Sequence, residues 1–317
     1  MYPTKREQTH FFKEIEYMKS TGFGIEVEFT GITRTEAAEV VRKCLNGRTE
    51  VLGDSYDTRA ITAPNNMIWK IVSDASITCK KKENDREIAA SRLYSCELVS
   101  PILTYEKDIE VLQEIIRKLR HAGGLTGATE GIHIHLNGSN HTPQSIRNFI
   151  NIIASKNDLF YKALEIEKER AKYCKRLDAH LVEKMNAKKP QTFKAISDIW
   201  YEGYGENINT HYHQSRYHFL NLHSFFTGHH TVELRGFNSE LHAGKVRSFV
   251  ILALALNQQA LTQRCASSKK NQTENEKFAM RTYLNRIGLI GEEFKNCREH
   301  LTQALGGCSG WRFRSAA

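Results

Sequence analysis

The sequence predicts an α+β fold, an antiparallel or mixed sheet with helices on one face. Strict apolar–polar alternation recurs in "FGIEVEF", "CELVSP", "GIHIHLN" and "TVELRGF", at the two-residue period of half-buried strands. Longer stretches between them carry apolar residues at helical spacing. The order (strand, helix, strands, helix, strand, helices, paired strands, helices) lacks the regular strand–helix alternation of a parallel sheet.

In chain order, "TGFGIEVEFTG" (21–31) reads as a strand with Ile25, Val27 and Phe29 on one face and Glu26 and Glu28 on the other. Residues 33–47 open with a capping box, Thr33 with Glu36, continue amphipathically and stop near Gly47. Residues 67–74 and 93–101 are strand-like, joined by a charged loop around Lys80 to Arg86. Residues 105–124 form a helix ended by glycine, and 130–138 a short, sharply alternating strand. From Thr142 to Met185 the pattern is helical and rich in Lys, Arg and Glu, which predicts a helical excursion or lid above the sheet. Residues 216–225 and 229–237 read as adjacent strands, and the chain from about His242 as helices. The expected organisation is one catalytic domain over 1–317, with a core of about 22–260, a charged helical insertion at about 142–200 and a C-terminal helical extension at 265–317.

At 317 residues, 40% hydrophobic and 26% charged, the chain has the composition of a globular protein with a full core. The longest apolar run, 249–257, is shorter than the roughly 18 residues a membrane span needs. Residues 1–20 are charged throughout, without the apolar stretch of a signal peptide, so the expected location is cytoplasmic. Seven cysteines show no zinc-site spacing, and Cys308 is expected at the surface. The net charge of +9 suits nucleic acid, anionic cofactors or acidic substrates, and serves equally for solubility alone. The basic stretch 169–180 is interleaved with acids and reads as a solvated face, which disfavours nucleic acid. Gly123, Gly124 and Gly127 lack the Lys-Ser/Thr of a phosphate loop, and no signature of a serine or cysteine nucleophile stands out.

The same alternation aligns chemistry-bearing residues. Glu26 and Glu28, Glu97, His133 with His135 and Asn137, and Glu233 with Arg235 all lie opposite apolar neighbours, so separate strands can place them on one sheet face. A merely wet face would mix Lys, Thr and Ser into this set. Packed without a cation, such acids repel one another and raise each other's pKa values. Zinc favours several His or Cys ligands, whereas three or four glutamates suit Mg²⁺ or Mn²⁺ carrying phosphates. An arginine beside a metal glutamate fits that chemistry, since it neutralises phosphoryl oxygens. The His133/His135 pair also admits a metal-dependent hydrolase or oxygenase, and the positive charge a basic nucleic-acid-binding module. Among the many histidines between 211 and 242, His218 is the best further candidate, on the strand face of Arg216.

Together "FGIEVEF", "DASI" with "CELVSP", "GIHIHLN" and "RYHFLNL…TVELRGF" resemble the amidoligase family, compact relatives of the glutamine synthetase and glutamate–cysteine ligase superfamily of carboxylate–amine ligases. The resemblance covers about residues 22 to 260. It implies a curved, mostly antiparallel sheet, a glutamine-synthetase-like half-barrel with helices on its convex face and catalysis on the concave one. It implies ATP-dependent amide-bond formation from a carboxylate and an amine substrate through an acyl phosphate, with Mg²⁺ or Mn²⁺. Glu26 and Glu28 would serve two separate cations, Glu97 joining the Glu28 ion and His133 and Glu233 joining the Glu26 ion. His135 would face the nucleotide, Arg216 and Arg235 would hold phosphates and acyl phosphate, and Asp74 and Ser76 would lie near the entering amine or the metal. Only some twenty residues precede the first strand, so the N-terminal domain and ring assembly of glutamine synthetases are not implied, and oligomeric state stays open.

Overall fold

Alternation becomes ladder pairing in the computed structural model, which describes residues 5–270 and 273–310, with side chains described from Lys13 onward. Helix α1 (Lys5–Ser20) leads into β1 (Gly22–Phe29), and α2 (Arg34–Leu45) starts at the capping box read from the sequence, Thr33 Oγ1 accepting from Glu36 N and the Glu36 carboxylate from Thr33 N. A meander follows of β2 (Arg48–Val51), β3 (Arg59–Thr62) and β4 (Ile68–Val72), then a hairpin of β5 (Lys80–Glu83) and β6 (Arg86–Ala89). Next come β7 (Cys96–Val99), β8 (Leu103–Thr104), α3 (Tyr105–His121) and β9 (Gly131–Asn137). Helices α4 (Pro143–Ala163), α5 (Ala179–Lys188) and α6 (Phe193–Trp200) precede β10 (Leu220–Asn221), α7 (His223–Phe226) and β11 (Thr231–Asn238). The remainder is helical, with α8 (Ala243–Thr262), α9 (Glu276–Arg286) and α10 (Lys295–His300).

The main sheet is open and runs β10-β11-β9-β1-β7-β4-β3-β2, with β8 also paired to β1, every one of these pairings antiparallel. Its apolar side carries Ile25, Val27, Phe29, Ile132, Ile134, Leu136, Val232 and Leu234, all fully buried beneath the helices. Helix α8 packs on β9 and also meets α3, α4 and α10. The fold is therefore α+β with a mostly antiparallel sheet. Among the described residues no helix is long and apolar enough to cross a membrane.

Four local expectations change. The charged loop at Lys80–Arg86 is the β5–β6 hairpin, turning at Asn84 and Asp85, both at positive φ (48° and 61°), the conformation that Asn and Asp tolerate in tight hairpin turns. The strand expected over 216–225 shortens to β10, because Asn221 Oδ1 accepts from His223 N at 2.7 Å and folds the chain into α7. Helix α4 is a core helix rather than part of a lid. Its buried Arg147, Asn148 and Asn151 donate to the backbone of neighbouring loops, so these polar groups are hydrogen-bonded inside the fold. Strands β2 and β3 were not anticipated, β2 being exposed along its whole length and so without alternation. In the C-terminal extension, Met280, Leu284, Leu289, Phe294 and Leu301 join the core; positions 311–317 lie outside the described residues. Cys308 is exposed, as is Cys265.

Candidate active site

Antiparallel pairing sets the polar residues side by side. Glu28 lies opposite Glu97, Glu26 opposite His133, and His135 opposite Glu233, across β7, β1, β9 and β11. Between Leu234 and Phe237 the β11–β9 register slips by one, so Arg235 and Gly236 together face His133. Such a bulge bends the strand and re-aims a side chain.

The side chains converge accordingly. His133 Nδ1 lies 3.0 Å from Glu26 Oε2 and 3.9 Å from Glu233 Oε1, and His133 Nε2 lies 3.7 Å from Glu28 Oε1. His135 Nε2 is 3.2 Å from Glu26 Oε1. Two overlapping groups have ligand atoms within 4.8 Å of one another, one of Glu26, Glu97 and His133 and one of Glu28, Asp74 and Glu97. Glu97 belongs to both, and Asp74 stands among the acids. Glu233 lies outside both groups, accepting from Arg235 Nη1 at 2.5 Å and from Asn221 Nδ2 at 2.5 Å. Arg216 is set back, in a short turn before β10, with its guanidinium 5.4 Å from the Tyr212 ring and 6.0 Å from the Tyr217 ring. Arg235 approaches Tyr217 to 5.9 Å. His218 turns away from the site, its ring held by Tyr204 Oη and the Arg176 carbonyl.

Burial makes this cluster costly in the absence of a cation. It drives Glu97 well above the usual carboxylate range, with Glu26, Glu28 and Asp74 adding repulsion. It raises Glu28 to about 7, Arg170 opposing and Asp74 reinforcing. Glu26 goes the other way, burial being outweighed by the charges of His135 and His133. Glu233 likewise falls to about 2 against its burial, through Arg235 and the histidines. Burial and Arg235 lower His133 to about 4, while Glu26 and Glu233 overcome burial to raise His135 to about 9. The Nε2 atom of His133 is buried without a hydrogen-bond partner, while His135 Nε2 faces Glu26 Oε1. Two acids raised chiefly by burial, Glu97 and Glu28, beside the unpartnered Nε2 of His133 are a donor set suited to hard divalent cations.

Several contributors escaped the sequence reading. Arg170, placed there on a solvated face, is 1% exposed and lies beneath the site, 4.0 Å from Glu28 Oε2. Gly131 N donates to Glu28 Oε2 at 2.6 Å. Ser95 Oγ accepts from Asp74 N at 3.0 Å and donates to Asp74 O at 2.7 Å, and Arg92 donates to the same carbonyl. Asn221 stood in the quoted "RYHFLNL", where a polar residue closing an apolar strand was the available signal.

Residues 19–257 match the model of a family described as "Putative amidoligase enzyme". That span includes every strand of the sheet and every side chain of the site, and the chain belongs to this amidoligase family. Membership implies a ligase-type enzyme. No curated protein matches the sequence.

Proposed function

We propose that the protein is an ATP-dependent carboxylate–amine ligase, forming an amide or isopeptide bond through an acyl phosphate, with two divalent cations, Mg²⁺ or Mn²⁺, in its site. The observation that carries this reading is the pair of acid-rich groups sharing Glu97. One cation would be held by Glu28, Asp74 and Glu97, the other by Glu26, Glu97 and His133, with Glu233 alongside the second. The cations supply charge neutralisation for a triphosphate and for the carboxylate that must approach it. The superfamily kinship, with this polar face as the concave side of a glutamine-synthetase-like half-barrel, belongs to the same proposal.

In this mechanism an oxygen of the substrate carboxylate attacks the γ-phosphorus of ATP, and the bond to the bridging oxygen breaks, releasing ADP. Arg235, held by Glu233 beside the histidines, meets the transferring phosphoryl oxygens. Arg216, at the rim beside Tyr217, serves the outer phosphates, and His135 faces the nucleotide. The amine then attacks the carbonyl carbon, phosphate leaves, and the ammonium proton passes to a carboxylate acting as base, for which Asp74 is the candidate. Amino acids, peptides and protein side chains all satisfy these roles as substrates.

Hydroxylamine tests the reading because it replaces the amine and traps an acyl phosphate as a hydroxamate. Incubation with Mg·ATP, a pool of carboxylates and hydroxylamine should release ADP and form hydroxamate, and Glu28→Ala should abolish both. Turnover of an ester, amide or oxidisable substrate without nucleotide would favour the hydrolase or oxygenase reading on His133 and His135. Nucleic-acid binding that weakens steeply with salt and ignores Glu26 and Glu28 would favour a binding module.

A further inference from the structure

Beside the β11 bulge one side chain collects three backbone carbonyls. Arg170 Nε donates to Phe237 O at 3.0 Å, Nη2 to Arg235 O at 2.7 Å, and Nη1 to Thr129 O at 3.4 Å. Its guanidinium thus joins both sides of the register slip, the bulged strand and the segment entering β9. The chemistry suits arginine, whose planar fork offers several donors in fixed directions, where lysine presents a point charge.

Both flanking glycines make room for this arrangement. A Cβ on Gly131 would lie 1.8 Å from Arg170 Cζ, and one on Gly236 would lie 1.9 Å from the Phe219 ring. Arg170 also sits in a segment that grips Arg235 twice. While Arg170 holds the Arg235 carbonyl, Tyr173 O accepts from Arg235 Nε at 3.5 Å, and Glu233 accepts from Arg235 Nη1. The segment is itself anchored, Lys175 N donating to Tyr217 O at 2.9 Å and Phe219 N to Lys175 O at 2.8 Å.

We propose that Arg170 is a positioning residue: by holding open the bulge opposite His133 it aims the Arg235 guanidinium into the site. This rests on the reading above in assigning Arg235 to phosphate. A buried arginine that only bonded backbone carbonyls would contribute to stability and nothing more. One that aims Arg235 must be coupled to Arg235 in ligand binding, and that coupling separates the two roles.

The test is a double-mutant cycle of Arg170→Lys and Arg235→Lys, with Mg·ATP affinity measured by calorimetry in all four proteins. A second readout is the Nε–H resonance of Arg235 in the ligand-free protein. Arg170→Lys should weaken Mg·ATP about tenfold in the parent and less than about twofold once Arg235 is replaced, the non-additivity expected of residues acting as a unit. The Arg235 resonance should shift or broaden in Arg170→Lys, and Gly131→Ala, which displaces the Arg170 guanidinium, should reproduce both effects. If Arg170→Lys does not fold, Arg170→Gln replaces it in the cycle. Equal weakening in both backgrounds, or an unmoved Arg235 resonance, overturns the proposal. Should the parent bind no Mg·ATP, the phosphate reading falls, and the resonance alone still supports or overturns the positioning role.

Discussion

Replacing Glu28 by glutamine should stabilise the cation-free protein while removing its capacity to be stabilised by cation. Burial lifts Glu28 to about 7 from an ordinary 4.5, so the fold takes up this proton more readily than the unfolded chain. The stability linked to it is complete below about pH 4.5 and is lost as pH rises through about 7. At about 1.4 kcal/mol per pKa unit the ionised carboxylate costs the cation-free fold about 3 kcal/mol above neutrality. Glutamine copies the protonated acid in shape and keeps an oxygen to accept from Gly131 N. With chelator present, Glu28→Gln should therefore match the parent near pH 4.5 and exceed it by about 3 kcal/mol at pH 8, or about 4–5 °C in melting temperature for a chain of this size. With Mg²⁺ in large excess the order at pH 8 should reverse, since a cation held at about 1,000 times its Kd adds about 4.1 kcal/mol to the parent alone. Urea unfolding at both pH values, with and without chelator, measures all four quantities. A Glu28→Gln protein less stable than the parent at pH 8 in chelator, or equally stabilised by Mg²⁺, would refute the reasoning.

Other consequences follow from the same geometry. Because Glu97 and Glu28 sit above their ordinary range, cation binding near pH 7 should release protons, seen as calorimetric heats that change with the buffer's ionisation enthalpy; heats independent of buffer would contradict it. Asn221→Ala removes the donor to Glu233 Oε2 and the acceptor for His223 N, both buried, and should destabilise the protein by about 1–3 kcal/mol per orphaned group in chemical unfolding. His141 is held below its ordinary pKa by burial, between Ser145 Oγ and Asn257 Oδ1, both at 2.9 Å. Its unfolded form therefore takes up a proton first, and its own contribution to stability should fall as pH drops below about 6.5, opposing the gain from Glu28. His141→Gln should flatten that part of the profile, and parallel profiles for the two proteins would contradict the assignment.

Much of the candidate site's geometry was legible because strand alternation is a strict code. Once 22–29, 131–137 and 231–238 are strands, Glu26, Glu28, His133, His135 and Glu233 must share faces, and the only freedom left is which strands are neighbours. The sheet order makes β11, β9, β1 and β7 consecutive, and those faces merge. What escaped the sequence depends on contacts without local period. Arg170 lies in an irregular charged segment, and nothing in its neighbours distinguishes a guanidinium that will be buried against three carbonyls from one left in water. The bulge was equally hidden, since "ELRGF" alternates well until Gly236 and the slip appears only against β9. Strand β2 is exposed along its length and paired on one edge only, so burial left no pattern on its side chains. In "RYHFLNLHSF" the apolar pattern suggested one strand, and the side-chain amide of Asn221 ended it.

The central claim is that Glu97 is shared between two cations that together receive a triphosphate. Anomalous diffraction from crystals grown with Mn²⁺ and a non-hydrolysable ATP analogue tests it most directly. The account predicts two manganese peaks, one beside Glu28 and Asp74 and one beside Glu26 and His133, with Glu97 touching both and phosphate oxygens completing each. A single peak, peaks away from Glu97, or nucleotide bound elsewhere on the protein would contradict it.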